Sequence, residues 1–112
     1  MQISTETFGN VLVAHTPDEL TEDTAAAFFD ALDAPVESGH LRIVLQMDRS
    51  EIYDSSGLTA LLDFQDKLKE SGGSVKISGL ADHGRKIFEV TRLDQRFDVF
   101  GSVIDAVASF GS

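Results

Sequence analysis

Hydrophobic and polar residues along this chain follow two periods, one typical of strands and one typical of helices. Positions 3–7 alternate and 11–14 are apolar, and both runs predict short strands. They flank Gly9 and Asn10, a pair typical of a tight turn, which predicts a β-hairpin. Segment 42–47 is apolar at consecutive positions, which predicts a central strand covered on both faces, or covered on one and partly buried on the other.

Elsewhere apolar residues recur every three or four positions, the spacing of an amphipathic helix. This spacing predicts helices over 21–38, 58–70, 82–90 and 102–110, with Thr21 capping the first of them. The glycines at positions 72 and 73 are predicted to end the second helix. The apolar residues predicted to face the core in the last two helices are Ile87, Phe88, Val90, Val103, Ile104, Val107 and Phe110.

The predicted element order is β-β-α-β-α-β-α-β-α, with further strands at 74–78 and 97–100. Strands that alternate with helices favour right-handed crossovers and parallel pairing, whereas the opening hairpin adds one antiparallel pair. We therefore predict an α/β fold, with a mixed, mostly parallel sheet of four or five strands and about four helices. A length of 112 residues suits one domain spanning residues 1–112.

The charge balance of the chain limits its partners. Nineteen acidic and nine basic residues give a net charge of −10, which argues against binding nucleic-acid phosphates or anionic membrane surfaces. Two interpretations of this charge stay open, namely solubility and docking on a basic face of a protein partner. The absence of cysteine excludes disulfides, thiolate catalysis and Cys-ligated metals.

Location and oligomeric state are predicted from what the sequence lacks. Its apolar runs fall well short of the roughly 20 residues of a membrane helix, and residues 1–6 do not resemble a signal peptide. We therefore expect a cytoplasmic protein. No strongly apolar face is apparent in the pattern, which favours a monomer when the protein is free.

Familiar catalytic and ligand-binding motifs do not occur. A Gly-x-Ser-x-Gly elbow is missing, and His15, His40 and His83 fall in separate predicted connections or strand ends, which argues against a serine hydrolase. Neither a His-Glu-x-x-His metal motif nor a glycine-rich phosphate loop is present. We therefore predict no catalytic residues, no metal and no cofactor, with nucleotide binding at a helix start near Ser55 as a weak alternative.

Segment 54–58, with the sequence Asp-Ser-Ser-Gly-Leu, stands between the central strand and the second helix. A helix N-terminus carries free N–H groups and favours negative charge, so a serine placed there accommodates a phosphate. Two interpretations follow from the residues. Either Ser55 or Asp54 simply caps the helix, or Ser55 is a phosphorylation site whose added charge expels a bound partner.

This segment also resembles the motif of a known family. Preceded by an apolar strand and followed by a helix that ends at two glycines, 54–58 resembles the STAS domain of anti-sigma factor antagonists. Residues 74–80 resemble the fourth strand of that family, and 85–93 resemble its third helix. The resemblance covers nearly the whole chain and implies a single STAS-like domain.

The resemblance implies a protein-binding module rather than an enzyme. When unphosphorylated, such an antagonist binds an anti-sigma factor that is itself a serine kinase. The kinase phosphorylates the first serine of the motif, here Ser55, and a PP2C-type phosphatase reverses the modification. The residues expected to contact the partner are Asp54, Ser56, Gly57, Leu58, Leu20 and Thr21. The alternative is a constitutive scaffold or ligand-sensing STAS module in which Ser55 is only a cap.

Two stretches depart from the family pattern. Many members carry Gly-x-Leu-Asp before the first helix, where this chain has Asp-Glu-Leu-Thr at 18–21. This stretch keeps the leucine, Leu20, and has a residue that can cap a helix, Thr21. Partner contacts at this stretch are expected to differ. The glycine of a common Ser-Gly-Leu turn is replaced by Arg92, so a different turn is expected there.

Overall fold

A mixed five-stranded sheet forms the centre of the molecule. The computed structural model describes residues 3–111, so Met1, Gln2 and Ser112 of the predicted domain lie outside the described residues. The sheet order is β1-β2-β4-β6-β7, and every neighbouring pair is parallel except the β1–β2 hairpin. The strands are β1 (Thr5–Phe8), β2 (Val11–His15), β4 (Arg42–Gln46), β6 (Ser74–Ser78) and β7 (Val99–Phe100). The predicted α/β fold is therefore confirmed.

A second, very small parallel sheet pairs β3 (Glu19–Leu20) with β5 (Ile52–Tyr53). These strands were not predicted from the sequence, because two residues are too short to display a hydrophobic period. Each of them leads directly into a helix, so this sheet holds two helix starts next to each other.

Helices cover the sheet and account for the amphipathic segments of the sequence. They are α1 (Glu22–Ala31), α2 (Asp33–Glu37), α3 (Ser55–Glu70), α4 (Asp82–Val90) and α5 (Val103–Ser109), with one 3₁₀ turn at Leu93–Gln95. The helix predicted over 21–38 is divided in two at Leu32. Pro35 accounts for this division, since it lacks the N–H that a continuous helix needs but fits the first turn of a new one.

Helix α3 begins at Ser55, three residues earlier than predicted. The extra turn forms because the Asp54 side chain accepts a hydrogen bond from the Gly57 N–H and so caps the helix directly before Ser55. At the other end Gly72 adopts a left-handed φ of 84°, as expected of a glycine that ends a helix.

The core has two parts, one on each face of the sheet. Ile43, Val44 and Leu45 are fully buried, which confirms that β4 is covered on both faces. Ile43 and Leu45 pack in the larger cluster with apolar residues of α1, α3 and α4, whereas Val44 packs in a smaller cluster with Ala106 of α5. Helix α5 therefore lies on the opposite face from α1 and α3.

Two side chains predicted to face the core are exposed instead. Val90 is 65% exposed and Ile104 is 76% exposed. Val90 follows the buried Phe88 by two positions, which turns it to the far side of α4. Ile104 is one position from Val103 and lies at the margin of the stripe that packs on the sheet.

The turn after α4 has an arginine in the left-handed backbone conformation that favours glycine. Arg92 has φ 63° and ψ 19°, and it is the one non-glycine residue with positive φ among residues 3–111. An L-amino acid therefore occupies a strained backbone position at this turn.

None of the helices in the described part of the chain has both the length and the apolar character required to cross a membrane.

Candidate functional site

The small β3–β5 sheet brings the starts of α1 and α3 side by side. Leu20 is paired with Tyr53 in this sheet, and the Asp54 N–H donates to the Leu20 carbonyl at 3.3 Å. Helix α1 begins two residues after Leu20, and α3 begins two residues after Tyr53. We call the resulting surface the paired N-termini; it comprises Glu22, Asp23, Asp54, Ser55 and Ser56.

Gly57 allows the two segments to approach each other. A Cβ atom at this position would lie 1.9 Å from the Leu20 carbonyl oxygen and 2.5 Å from its carbon. Both atoms belong to the backbone and cannot rotate away. The glycine of the Asp-Ser-Ser-Gly motif is therefore required by the close contact between the β3–α1 connection and α3.

Asp54 joins both helix starts through one carboxylate. Its Oδ1 accepts a hydrogen bond from the Gly57 N–H at 2.7 Å, and its Oδ2 accepts one from the Glu22 N–H at 3.0 Å. Hydrogen bonds from Gly57, then Glu22 and then Ser56 lower the pKa of the Asp54 carboxyl, because N–H donors favour its charged form. The carboxylate thus satisfies otherwise free N–H groups of two helices.

Ser55 and Ser56 are the first two residues of α3, and both are exposed. Because Asp54 supplies the cap, neither hydroxyl is needed to satisfy the first turn of this helix. Of the two capping candidates in the sequence, the structure assigns the role to Asp54. The Ser55 hydroxyl is consequently accessible at a place where two helix dipoles favour negative charge.

The other residues predicted for partner contact divide into two groups. Leu20 and Gly57 are buried, so they do not present side chains to a partner. Their close backbone contact sets the distance between the two helix starts. Thr21 and Leu58 are half-buried at its margin. Thr21 is the N-cap of α1, and its N–H donates to the Thr24 hydroxyl at 3.0 Å.

Tyr53 directly precedes Asp54 at the end of β5. Its role in the site was not predicted from the sequence. Its hydroxyl donates to the Ser50 carbonyl at 3.1 Å, and it lies against Gly84, where an added Cβ would be 2.9 Å from the tyrosine oxygen. Burial raises the pKa of the Tyr53 hydroxyl to about 12. The one available signal was its position directly before the motif.

Two of the three histidines contact different parts of the structure. The His15 ring bonds to Glu6 on the hairpin at 2.9 Å, whereas the His83 ring lies 6.4 Å from the ring of Tyr53. Among residues 3–111 there is no group of three His, Cys, Asp or Glu side chains with the arrangement of a metal site.

Comparison with known proteins identifies the family. The sequence profile of the STAS domain matches residues 2–106. A candidate anti-sigma factor antagonist of Bordetella bronchiseptica, BtrV, is 26% identical over 110 residues, covering 98% of this chain and 95% of the relative.

Solved structures show the same fold. A candidate anti-sigma factor antagonist from Thermotoga maritima superposes with a TM-score of 0.86 at 17% identity, covering 96% of this chain and 92% of that one. Phosphorylated SpoIIAA, a Bacillus cell fate determinant, superposes with a TM-score of 0.73 at 17% identity, covering 98% of this chain and 100% of that one. The chain belongs to the STAS domain family, and its relatives include anti-sigma factor antagonists.

Proposed function

We propose that this protein is a phosphorylation-controlled anti-sigma factor antagonist of the cytoplasm. In its unphosphorylated form it binds an anti-sigma factor that is also a serine kinase, and phosphorylation of Ser55 releases that partner. A PP2C-type phosphatase returns the protein to its binding form. The observation that carries the proposal is the exposed Ser55 at the paired N-termini, left free of a capping role by Asp54.

The paired N-termini suit a serine that gains and loses a phosphate. A phosphoserine carries a charge of about −1.5 to −2 at pH 7. At Ser55 the positive ends of α1 and α3 stabilise that charge within the protein, since the two helices start within reach of one carboxylate. The phosphorylated chain therefore remains folded.

The same phosphate disfavours a partner seated over this surface. The carboxylates of Glu22, Asp23 and Asp54 already make the surface acidic, and the phosphate adds charge that must lose its water when an interface closes over it. A kinase that modifies Ser55 must also place the γ-phosphate of its nucleotide at the serine hydroxyl. After transfer the phosphoserine faces the terminal phosphate of the ADP that remains in the kinase, and these like charges repel.

Partner contact is proposed to centre on Asp54, Ser55 and Ser56, with Thr21 and Leu58 at the margin. Leu20 and Gly57 act indirectly, by setting the distance between α1 and α3. In this scheme the chain supplies the acceptor hydroxyl, and the kinase and phosphatase perform the chemistry.

A phosphorylation experiment tests the proposal. The protein is incubated with ATP and a serine-kinase anti-sigma factor from the same genome, and the modified residue is located by mass spectrometry. We expect one phosphate on Ser55, which is lost in Ser55→Ala and kept in the matched control Ser56→Ala. Phosphate on Ser56, or no phosphate with any such kinase, contradicts the proposal and favours a constitutive scaffold.

A further inference from the structure

A groove open to solvent runs between helices α1 and α3. Its volume is about 200 Å³, which is less than the roughly 300–1,000 Å³ of a typical small-molecule pocket. This size suits one inserted side chain better than a free ligand. We call it the α1–α3 groove; the residues that define it are Ala26, Phe29, Asp30, Ala60, Asp63 and Phe64.

The floor of the groove is apolar. The rings of Phe29 and Phe64 are stacked with their centroids 5.1 Å apart, and both residues are almost completely buried. Ala26 and Ala60 stand beside these rings and leave them uncovered, because an alanine side chain is a single methyl group. The floor can therefore cover the apolar stem of a long side chain, and its aromatic faces also attract a cation.

The rim of the groove is acidic. Asp30 on α1 and Asp63 on α3 are exposed, and within residues 3–111 neither carboxylate forms an ion pair. Asp33 also lines the groove, and it pairs with the Lys67 ammonium at 2.8 Å. The pKa of Lys67 is raised, mainly by its hydrogen bond to Asp33 and further by the charge of Asp30. Three aspartates and one lysine thus leave two negative charges in excess.

The groove is continuous with the paired N-termini. On α3, Ser56, Ala60 and Asp63 follow one another at intervals of four and three residues, so they share one face of the helix. On α1, Asp23 and Asp30 are two turns apart and also share a face. The walls of the groove are therefore the helix faces that begin at the paired N-termini.

A partner that is seated over Ser55 can reach the groove. Ser55 and Asp63 are eight residues apart in α3, or about 12 Å along the helix axis. A standard interface buries roughly 800 Å² per partner, which corresponds to a disc of roughly 16 Å radius. The separation also exceeds the Debye length of about 8 Å at physiological ionic strength, so charges at the two places act nearly independently.

On the basis of the function proposed above, we propose that the α1–α3 groove receives an arginine or lysine side chain of the anti-sigma factor. The stem of that side chain lies on the Phe29 and Phe64 rings, and its cation lies between Asp30 and Asp63. Of the two interpretations of the net charge of −10, this groove favours docking on a basic face of a protein partner. The groove contributes affinity, whereas Ser55 controls release.

Isothermal titration calorimetry with a serine-kinase anti-sigma factor from the same genome tests this contact at low and physiological salt. Wild type should bind more weakly as salt is added, because salt screens the acidic groove from the cation. Asp63→Asn should bind about 5- to 10-fold more weakly than wild type at low salt and depend less on salt. The matched control Asp66→Asn removes the same charge near Arg96, outside the groove, and should stay within about twofold of wild type.

A second pair of variants tests the space in the groove without changing charge. Ala60→Gln places a longer side chain over the floor and should weaken binding about tenfold or more. Ala108→Gln is the same change at an exposed alanine of α5, on the other face of the sheet, and should leave the affinity unchanged. Thermal unfolding shows which variants are folded. If Ala60→Gln unfolds, the exposed Asp63→Asn still decides the question.

Kinetics of Ser55 phosphorylation separate the groove from the acceptor hydroxyl. Asp63→Asn should raise KM and leave kcat unchanged, because the groove does not touch the reacting atoms. A wild type that binds while Asp63→Asn and Asp66→Asn bind equally well overturns the groove contact and leaves the proposed function intact. A lower kcat with unchanged KM in Asp63→Asn also overturns it. A wild type that binds no such kinase overturns both proposals.

Discussion

The geometry of the candidate site depends on a few residues with distinct roles. Asp54 satisfies N–H groups of both helix starts, and Gly57 lets the Leu20 carbonyl lie against α3. Ser55 lies between them and has neither role. Asp54 and Gly57 therefore fix the geometry of the surface, whereas Ser55 provides the hydroxyl that can be modified.

Gly57→Ala should destabilise the protein by about 1–3 kcal/mol or more, because the new methyl group meets the Leu20 backbone and one segment must move. Urea denaturation measures the change in the free energy of unfolding. Gly101→Ala is the matched control, since a Cβ there is 3.8 Å from its nearest neighbour, the side chain of Arg85. Equal stability of the two variants would show that the close contact is absent.

Tyr53 should ionise about two pH units above an ordinary tyrosine, since burial raises its pKa from 10.0 to about 12. The unfolded chain loses this proton near pH 10 and the folded chain does not, so stability should fall as pH rises from 10 to 12. The protein contains one tyrosine, so ultraviolet absorbance follows this group alone. Ionisation near pH 10 in the folded protein would contradict the described burial.

At the scale of elements, two helix starts are coupled through the β3–β5 sheet. Neither strand is long enough to be stable alone, but together they align α1 and α3 so that one carboxylate reaches both. The same elements lie at the carboxyl side of the preceding strands, where α/β proteins commonly place functional loops.

Asp54→Ala removes hydrogen bonds to both helices and should lower the melting temperature by about 5 °C at pH 7. Asp54→Asn should have a smaller effect, because its amide oxygen can still accept from Gly57 while its NH₂ cannot accept from Glu22. Differential scanning calorimetry measures both variants.

The effect should depend on pH in a defined direction. The folded-state pKa of Asp54 is lowered, so its contribution is present above the unfolded value of about 3.9 and is lost as pH falls through the folded value. The difference between wild type and Asp54→Ala should therefore shrink below about pH 4. A difference that persists unchanged in acid would contradict the capping role.

Arg92→Gly should stabilise the protein by about 0.5–1 kcal/mol, because glycine adopts the left-handed backbone of this turn without the strain of a side chain. Arg96→Gly is the matched control: Arg96 has a φ of −97°, so its replacement brings no such relief. Thermal or urea unfolding of the two variants measures the difference. Destabilisation of Arg92→Gly would mean that the arginine side chain contributes more than the backbone strain.

At the scale of the whole molecule, the sheet separates two surfaces. Helices α1 and α3 carry the paired N-termini on one face, and α5 with β1 forms an apolar groove on the other. These two surfaces therefore share no residues.

Much of this arrangement was predictable from local patterns. The hairpin around Gly9 and the burial of β4 follow from periodicity and turn residues, and both are confirmed. The position of Ser55 next to a helix start follows from the order of strand, polar segment and helix.

Long-range contacts were not predictable in the same way. Leu20 and Gly57 are far apart in sequence, and nothing in their local pattern shows that their backbones touch. The bond from Asp54 to Glu22 depends on two strands too short to show a period. The exposed Ile104 belongs to an apolar stripe that is wider than the face it buries.

The central claim is that charge on Ser55 controls partner binding. Isothermal titration calorimetry against a serine-kinase anti-sigma factor from the same genome tests it with wild type, Ser55→Ala, Ser55→Asp and the control Ser38→Asp, which adds the same charge at the end of α2. Wild type, Ser55→Ala and Ser38→Asp should bind alike, whereas Ser55→Asp should bind about 1–3 kcal/mol more weakly, or roughly 5- to 150-fold. Equal affinity of Ser55→Ala and Ser55→Asp would contradict the claim.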